Sequence, residues 1–198
     1  MTTFALHPAD AAPRQPHYMT LEGFLDADEC RAWIAFAEAL GFDEAPINTR
    51  RGAVRAPEIR NNDRAMIDDP ERAAALWERA RPHLPAPWRR WNESTAVGFN
   101  ERLRFYRYGP GQRFAIHRDG LFRRPDRSAF SRMSFLVYLS EAVEGGETEL
   151  FDLGVVAPRM GMALCFPHGC LHEGRAVTAG VKYVLRTDVM YSREPSPR

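Results

Sequence analysis

Several features are scarce in this sequence, and each scarcity narrows the class of protein. Its three cysteines, Cys30, Cys165 and Cys170, are too few for a disulfide framework and lack the paired Cys-x-x-Cys spacing of structural zinc sites. No run approaches the roughly 20 apolar residues that a membrane helix needs. The first residues show no basic segment followed by an apolar one, so we expect a cytoplasmic protein.

Excess charge is also missing. The 27 basic and 26 acidic residues leave a formal net charge of +1, whereas nucleic-acid binders usually carry a clear basic excess. The sequence therefore gives no strong nucleic-acid signal, and it does not indicate an oligomeric state. Lysine is almost absent, because every basic residue except Lys182 is an arginine.

The remaining composition is that of one ordinary globular domain. At 198 residues and 44% hydrophobic content, the chain can bury one substantial core but is short for two. We expect a single domain over 1–198, with a helical supporting part at 1–99, a strand-rich core at 100–192 and a tail at 193–198.

Two helices are predicted in the first half of the chain. Asp26 followed three residues later by Glu29 is a capping-box pattern, and apolar residues then recur at helical spacing. A second helix should begin at Asp69 with Pro70 in its first turn and end near Pro82. Both have the pattern of packing helices.

From Asn100 onward, short apolar or alternating segments are separated by glycine and proline turns, which is typical of strands. The predicted strands run from Leu103 to Tyr108, Phe114 to His117, Met133 to Leu139, Thr148 to Leu153, Met162 to Phe166 and Val181 to Tyr191. This spacing predicts an all-β core, a sandwich or barrel, with flanking helices (an α+β chain overall).

Three residues have the chemistry of a metal site. His117 and Asp119 stand two apart, so on extended backbone they point to the same side and can share an ion. His172 follows another predicted strand, and two imidazoles with one carboxylate form the facial set of non-haem iron(II) oxygenases. The alternatives are a surface loop at His117, a buried hydrogen-bonded His172, or His168 as the third ligand.

Lys182 opens the last predicted strand, ten residues after His172. An ammonium that faces a barrel interior is costly unless an anion meets it, and the distal carboxylate of 2-oxoglutarate is a suitable anion. The alternative is a solvated lysine at the end of a strand.

Three stretches together resemble the catalytic domain of 2-oxoglutarate and iron(II)-dependent oxygenases, in particular the prolyl 4-hydroxylase-like branch. They are RYGPGQRFAIHRDG from Arg107, SFLVYLSEAVEGGETELF from Ser134 and PRMGMALCFPHGCLHEGRAVTAGVKY from Pro158. The resemblance implies a double-stranded β-helix (jelly-roll) barrel that uses Fe(II), 2-oxoglutarate and O2. It also implies hydroxylation of a C–H bond, with release of succinate and CO2.

The resemblance further implies that Tyr108 and Thr148 join Lys182 around the distal carboxylate. Each has an alternative, since Tyr108 could be a core aromatic and Thr148 a turn hydroxyl bonded to backbone. We interpret Tyr138 as a strand aromatic that could line the pocket.

Arg186 shares a strand face with Lys182 and Asp188, and we assign it to co-substrate or substrate contact. A structural ion pair between Arg186 and Asp188 is the alternative. Asp188 stands where an aromatic is common in peptidyl prolyl hydroxylases, so a peptide substrate is one option among several. The others are a small polar metabolite, a methylated nucleobase, or a cupin-like or non-catalytic barrel.

Two arginine-rich stretches could cover the mouth of the barrel: residues 60–64, and the loop after Asp119 with Arg123, Arg124 and Arg127. The alternative for both is solvated surface. If they are functional, they suit an anionic or strongly polar substrate.

Overall fold

The structure, a computed structural model, describes residues 2–5, 18–49, 52–141 and 143–193. Apart from Arg193, the expected tail lies outside these residues. Within them, two α-helices accompany many short strands, and no helix is long and apolar enough to cross a membrane.

The helices are α1 (Ala27–Leu40) and α2 (Pro70–Ala80), and the 3-10 turns Arg81–His83 and Ala86–Trp88 follow α2. The strands are β1 (Thr2–Ala5), β2 (Tyr18–Leu21), β3 (Asp43–Glu44), β4 (Ile47–Thr49), β5 (Gly52–Val54), β6 (Asp63–Asp68), β7 (Arg90–Trp91), β8 (Ser94–Phe99), β9 (Arg102–Tyr108), β10 (Phe114–His117), β11 (Phe130–Tyr138), β12 (Glu144–Gly145), β13 (Thr148–Leu150), β14 (Gly154–Val156), β15 (Ala163–Pro167), β16 (His172–Gly174), β17 (Val177–Ala179) and β18 (Lys182–Arg193).

Both helices begin where their capping residues predict. The Asp26 side chain accepts the Glu29 amide at 2.8 Å, the Glu29 carboxylate accepts the Asp26 amide at 2.9 Å, and α1 follows. Asp69 caps α2 by accepting from the Arg72 amide, with Pro70 as the first helical residue. These bonds satisfy amides that the first helical turn leaves without partners.

Two sheets face each other across the barrel. The larger sheet has the order β1-β2-β15-β11-β18-β9-β6-β3, with β8 also paired to β18, and the smaller has the order β10-β16-β13-β14. The expected all-β core with flanking helices in a jelly-roll arrangement is confirmed. Before Phe99 the chain supplies strands as well as helices, because β2, β6 and β8 join the larger sheet.

Strand β11 shows how one element serves two cores. Its residues Phe135 and Val137 pack in the cluster that includes the helices, whereas Leu136 and Tyr138 belong to the cluster between the two sheets. Successive side chains of a strand point to opposite faces, so this alternation separates structural packing from the barrel interior. The candidate site lies in that interior.

Candidate metal centre and co-substrate pocket

The two candidate histidine ligands are cross-strand neighbours. His117 ends β10, His172 begins β16, and the two residues pair directly in the smaller sheet. Paired residues of neighbouring strands lie side by side on one face, and the imidazole centroids are 4.2 Å apart. Asp119 completes the group, with one ligand atom from each residue within 4.8 Å of the others.

Each imidazole is oriented by its own backbone. The ring atom Nδ1 of His117 bonds the carbonyl of Ala115 at 2.8 Å, and Nδ1 of His172 bonds the carbonyl of Cys170 at 3.0 Å. A carbonyl only accepts, so in each ring Nδ1 carries the proton and Nε2 presents its lone pair. Both Nε2 atoms lie 3.7 Å from the Asp119 carboxylate, which places three donors around one point.

Aromatic walls keep both imidazoles neutral. Phe114 stacks on His117 with centroids 3.6 Å apart, and Phe166 packs edge-on against His172 at 4.6 Å. Burial and then the neighbouring His172 lower the pKa of His117 to about 4, and burial lowers the pKa of His172. A metal binds only deprotonated ligands, so these two rings are ready to bind without releasing protons at neutral pH.

Asp119 is held ionised by groups around its carboxylate. Burial opposes its ionisation, but the positive charge of Arg186 holds the pKa of this carboxyl well below the usual range. The Arg186 guanidinium lies 3.0 Å from one carboxylate oxygen, and the Ser134 hydroxyl donates to the other. Partners of this kind fix a carboxylate ligand in one orientation.

These contacts place Arg186 beside Asp119, at the end of the pocket that contains the candidate metal ligands. It also pairs with Asp188 at 3.2 Å, as the ion-pair alternative expected, and Asp188 in turn pairs with Arg104 at 3.2 Å. The Nε atom of Arg186 is buried and has no hydrogen-bond partner among the described residues. The sequence did not indicate the contact with Asp119, because Asp119 lies in the loop after β10 and Arg186 lies in β18, far along the chain.

Lys182 lies deep in the barrel, next to Tyr108, its direct partner on β9. Only 3% of Lys182 is exposed, its ammonium donates to the Gly146 carbonyl at 2.5 Å, and burial lowers its pKa to about 8. The left-handed Gly146 (φ +68°) permits this approach, since a Cβ there would meet the lysine Cδ at 3.1 Å. The described structure gives Lys182 no carboxylate within ion-pair distance, so it can receive an external anion.

Two tyrosine rings lie beside this ammonium. Its Nζ lies 5.0 Å from the Tyr108 ring centroid and 5.7 Å from that of Tyr138, and the Tyr138 hydroxyl bonds Thr148 Oγ1 at 2.7 Å. One pocket is lined by these residues together with His117, Asp119, His172 and Arg186. Tyr138, interpreted from the sequence as a strand aromatic that could line the pocket, is a pocket residue. The sequence indicates this position through the two-residue alternation that places Tyr138, Leu136 and Ser134 on one face of the strand.

His168, the alternative third ligand, is occupied elsewhere. Its Nδ1 contacts the Ser134 hydroxyl at 3.0 Å and its Nε2 the Ser131 hydroxyl at 2.8 Å, so both ring nitrogens already have partners. Of the arginine-rich stretches, Arg60 is buried and lies over Phe114 at 4.3 Å, whereas Arg123 and Arg127 are exposed.

Comparison with known proteins agrees with this donor set. Residues 103–187 match the family model of the 2OG-Fe(II) oxygenase superfamily. Among curated proteins, none matches the chain significantly. The family match runs from β9 into β18 and contains the three candidate metal ligands, Lys182 and Arg186, whereas Asp188 lies just beyond it.

Solved structures of prolyl hydroxylases have the same fold. A viral collagen prolyl hydroxylase from Paramecium bursaria Chlorella virus-1, solved with 2OG, is 20% identical with a TM-score of 0.63, over 89% of this chain and 96% of that one. A Pseudomonas putida prolyl-4-hydroxylase is 22% identical with a TM-score of 0.62, over 90% and 94%. A Trichoplax adhaerens prolyl hydroxylase, in complex with a hypoxia inducible factor peptide fragment, is 18% identical with a TM-score of 0.63, over 89% and 84%.

Proposed function

Because this chain belongs, through residues 103–187, to the 2OG-Fe(II) oxygenase superfamily, we propose that His117, Asp119 and His172 bind its Fe(II) and that Lys182 binds 2-oxoglutarate. The enzyme is a 2-oxoglutarate-dependent dioxygenase that hydroxylates a C–H bond. The observation that carries the residue assignment is the convergence of two Nε2 lone pairs and one ionised carboxylate within 4.8 Å.

The donor set fits iron(II) in its chemistry. Two imidazoles and one carboxylate on one side of an ion leave the remaining positions open for a chelating co-substrate and oxygen. Once bound, iron, 2-oxoglutarate and O2 together supply the oxidant, and succinate, CO2 and a hydroxylated substrate are the products. The protein holds the ligands in place: carbonyls fix both imidazoles, and Arg186 with Ser134 fixes Asp119.

Lys182 supplies the charge for the distal carboxylate of 2-oxoglutarate. The ammonium would exchange its bond to the Gly146 carbonyl for a charged partner, and Tyr138, Thr148 and Tyr108 line the same pocket. Bonds to a carboxylate are stronger than neutral ones, and burial increases this difference. Arg186 contacts Asp119 and also lines this pocket, and its role as a co-substrate or substrate contact stays a prediction.

We propose an organic or peptidyl substrate, with a peptidyl proline-like residue as one candidate. The Trichoplax enzyme named above was solved with a peptide, which supports the peptidyl option for this fold. Three cysteines free of disulfides are compatible with a reducing compartment, and a cytoplasmic location stays a prediction.

An anaerobic titration tests this proposal. Fe(II)-loaded protein is titrated with 2-oxoglutarate while the weak visible charge-transfer band of the chelate is followed, in the wild type, in Lys182→Met and in Asp119→Ala. We expect a band in the wild type, a requirement for far more 2-oxoglutarate in Lys182→Met, and loss of iron in Asp119→Ala. The control is Tyr183→Phe, which changes only a surface hydroxyl bonded to Glu38. Absence of the band in iron-loaded wild type would refute the proposal.

A further inference from the structure

A groove formed by two cavities that share lining residues lies beside Asp119, one of the three candidate metal ligands. Its inner part is a cavity of about 320 Å³ lined by Asp119, His168, Trp91 and Arg132, among others. Its outer part, about 640 Å³, is lined by Arg123 and Arg127 and shares Trp91 and Arg132 with the inner part. A ligand in this groove can therefore reach from the metal ligand Asp119 to the exposed arginines.

A β-bulge places Arg132 at the junction of the two parts. The pairing of β11 with β18 shifts register between Ser131 and Met133, so Arg132 is the extra residue of the strand. Bulges re-aim side chains and are common beside active sites. The Arg132 guanidinium lies 5.3 Å from the ring centroids of both Trp91 and Phe130, and its buried Nε has no hydrogen-bond partner among the described residues.

The outer part carries unneutralised positive charge. In the described structure, Arg123, Arg127 and Arg132 have no carboxylate within ion-pair distance, whereas the adjacent Arg124 pairs with Glu101. Glu93 also lines this part, so the three guanidinium groups outweigh one carboxylate.

The backbone of Arg127 adds a second observation. It has a left-handed φ of 62°, a conformation that costs a non-glycine residue of order 1 kcal/mol or more. Its amide bonds the Arg124 carbonyl at 2.9 Å in the tight turn that closes the loop before β11. An arginine stands here, where glycine or asparagine would adopt the same backbone conformation at lower cost, so the side chain is the feature that this position adds to the groove.

We propose that this groove binds an acidic polypeptide segment, with acidic side chains on Arg123, Arg127 and Arg132 and the residue to be hydroxylated at Asp119. The assignment rests on the proposed function for its reacting end. A polypeptide fits better than a small anion, because the ligand must span both cavities. The arginines without ion-pair partners line the outer cavity, and the reacting position beside Asp119 lies in the inner one. Charged, partly exposed contacts of this kind select a partner and accelerate its association.

Fluorescence polarisation with full-length, metal-free protein and no 2-oxoglutarate tests the groove independently of catalysis. The probes are a fluorescein-labelled peptide of repeated Gly-Glu-Ser units and its Gly-Gln-Ser counterpart. At low ionic strength, the glutamate peptide should bind about tenfold more tightly, since each of three exposed ion pairs contributes roughly 1.5- to 5-fold. Its affinity should fall as salt is added.

A matched pair of double variants locates the binding surface. Arg123→Gln with Arg127→Gln should weaken binding about fivefold. Arg31→Gln with Arg81→Gln removes the same charge from other faces, at side chains each 60% exposed, and should change binding less than about twofold. All four positions are exposed, so these variants are expected to fold.

Three results would overturn the inference: equal affinity for the two peptides, equal weakening in the two double variants, or equally effective displacement by inorganic phosphate. Tighter binding of a single-stranded DNA oligonucleotide than of the glutamate peptide would overturn it as well. Failure of the proposed function is seen separately, as the missing chelate band. If the protein forms the chelate band but does not bind the acidic peptide, only the groove proposal is refuted.

Discussion

Replacing Lys182 with methionine should make the free protein more stable while removing its response to 2-oxoglutarate. Burial lowers the Lys182 pKa from 10.5 to about 8. The corresponding cost of keeping the buried ammonium charged at neutral pH is about 3 kcal/mol. Methionine has a similar length and no charge, but it loses the bond from the charged ammonium to the Gly146 carbonyl, which costs about 2 kcal/mol.

The net expectation is a free energy of unfolding about 1 kcal/mol larger, which raises the Tm of a chain of this length by about 2 to 4 °C. The pH dependence follows from the lowered pKa. Below pH 8 the lysine is charged in both the folded and the unfolded state, so the wild type bears the full cost. Between pH 8 and 10.5 the folded state loses its proton first and the cost declines. The advantage of Lys182→Met should therefore shrink as the pH rises through this range.

Calorimetry with Mn²⁺ present, with and without 2-oxoglutarate, measures both effects in one experiment. At a ligand concentration 100 times Kd, the wild type should gain about 2.7 kcal/mol of stability, and Lys182→Met should gain almost nothing. Tyr183→Phe, on the same strand, should respond like the wild type. A methionine variant that melts below the free wild type at pH 7, or that gains as much from 2-oxoglutarate, would refute this reasoning.

Three further predictions concern single positions. Asp119→Ala should weaken Mn²⁺ binding at least about 100-fold, because a charged ligand is lost, and isothermal titration calorimetry measures this change; an unchanged Kd would exclude Asp119 as a ligand. Tyr138→Phe should raise the Kd for 2-oxoglutarate about tenfold, because a hydrogen bond to a charged group contributes roughly 1.5–3 kcal/mol, whereas Tyr183→Phe should leave it unchanged. Gly161→Ala should destabilise the fold by about 3 kcal/mol or more in denaturant unfolding, since φ is +76° and a Cβ would lie 2.0 Å from the Leu25 carbonyl oxygen; a smaller loss would mean that this turn relaxes.

Local signals in the sequence predicted the helices and most strands of the barrel. The capping box at Asp26 predicted α1, and the segment Phe114 to His117 is β10 in the structure as expected. The ends of the strands were harder to predict. The last strand continues to Arg193, and the strand expected to run from Thr148 to Leu153 ends at Leu150. The short strands before Phe99 carry no clear two-residue alternation. Most of them join the larger sheet and β4 pairs with β5, by pairings that their own residues do not specify.

Contacts between strands that are distant in sequence account for what was missed at the site. Ser134 bonds Asp119 from β11, and Tyr138 meets Thr148 from the opposite sheet. Such pairs depend on strand register, which a single sequence does not reveal. The alternation along β11 shows which of its residues share a face, but it does not show which residues of other strands and loops contact that face. The H-x-D pattern could be recognised in the sequence because His117 and Asp119 are only two residues apart.

The two buried cations of the site are Arg186 and Lys182, and the contacts of each suit the shape of its charged group. Arg186 must hold Asp119 and Asp188 together, at 3.0 and 3.2 Å, and a planar guanidinium can donate in several fixed directions. Lys182 lies 2.5 Å from a carbonyl, in a space closed by Gly146 and Tyr108, where a compact ammonium fits. An ammonium with a pKa near 8 is poorly satisfied in the free protein, so a carboxylate that reaches it gains the interaction that the fold does not supply. Under the proposed assignment, a chain that uses arginine at every other basic position has its single lysine at the place where 2-oxoglutarate would bind.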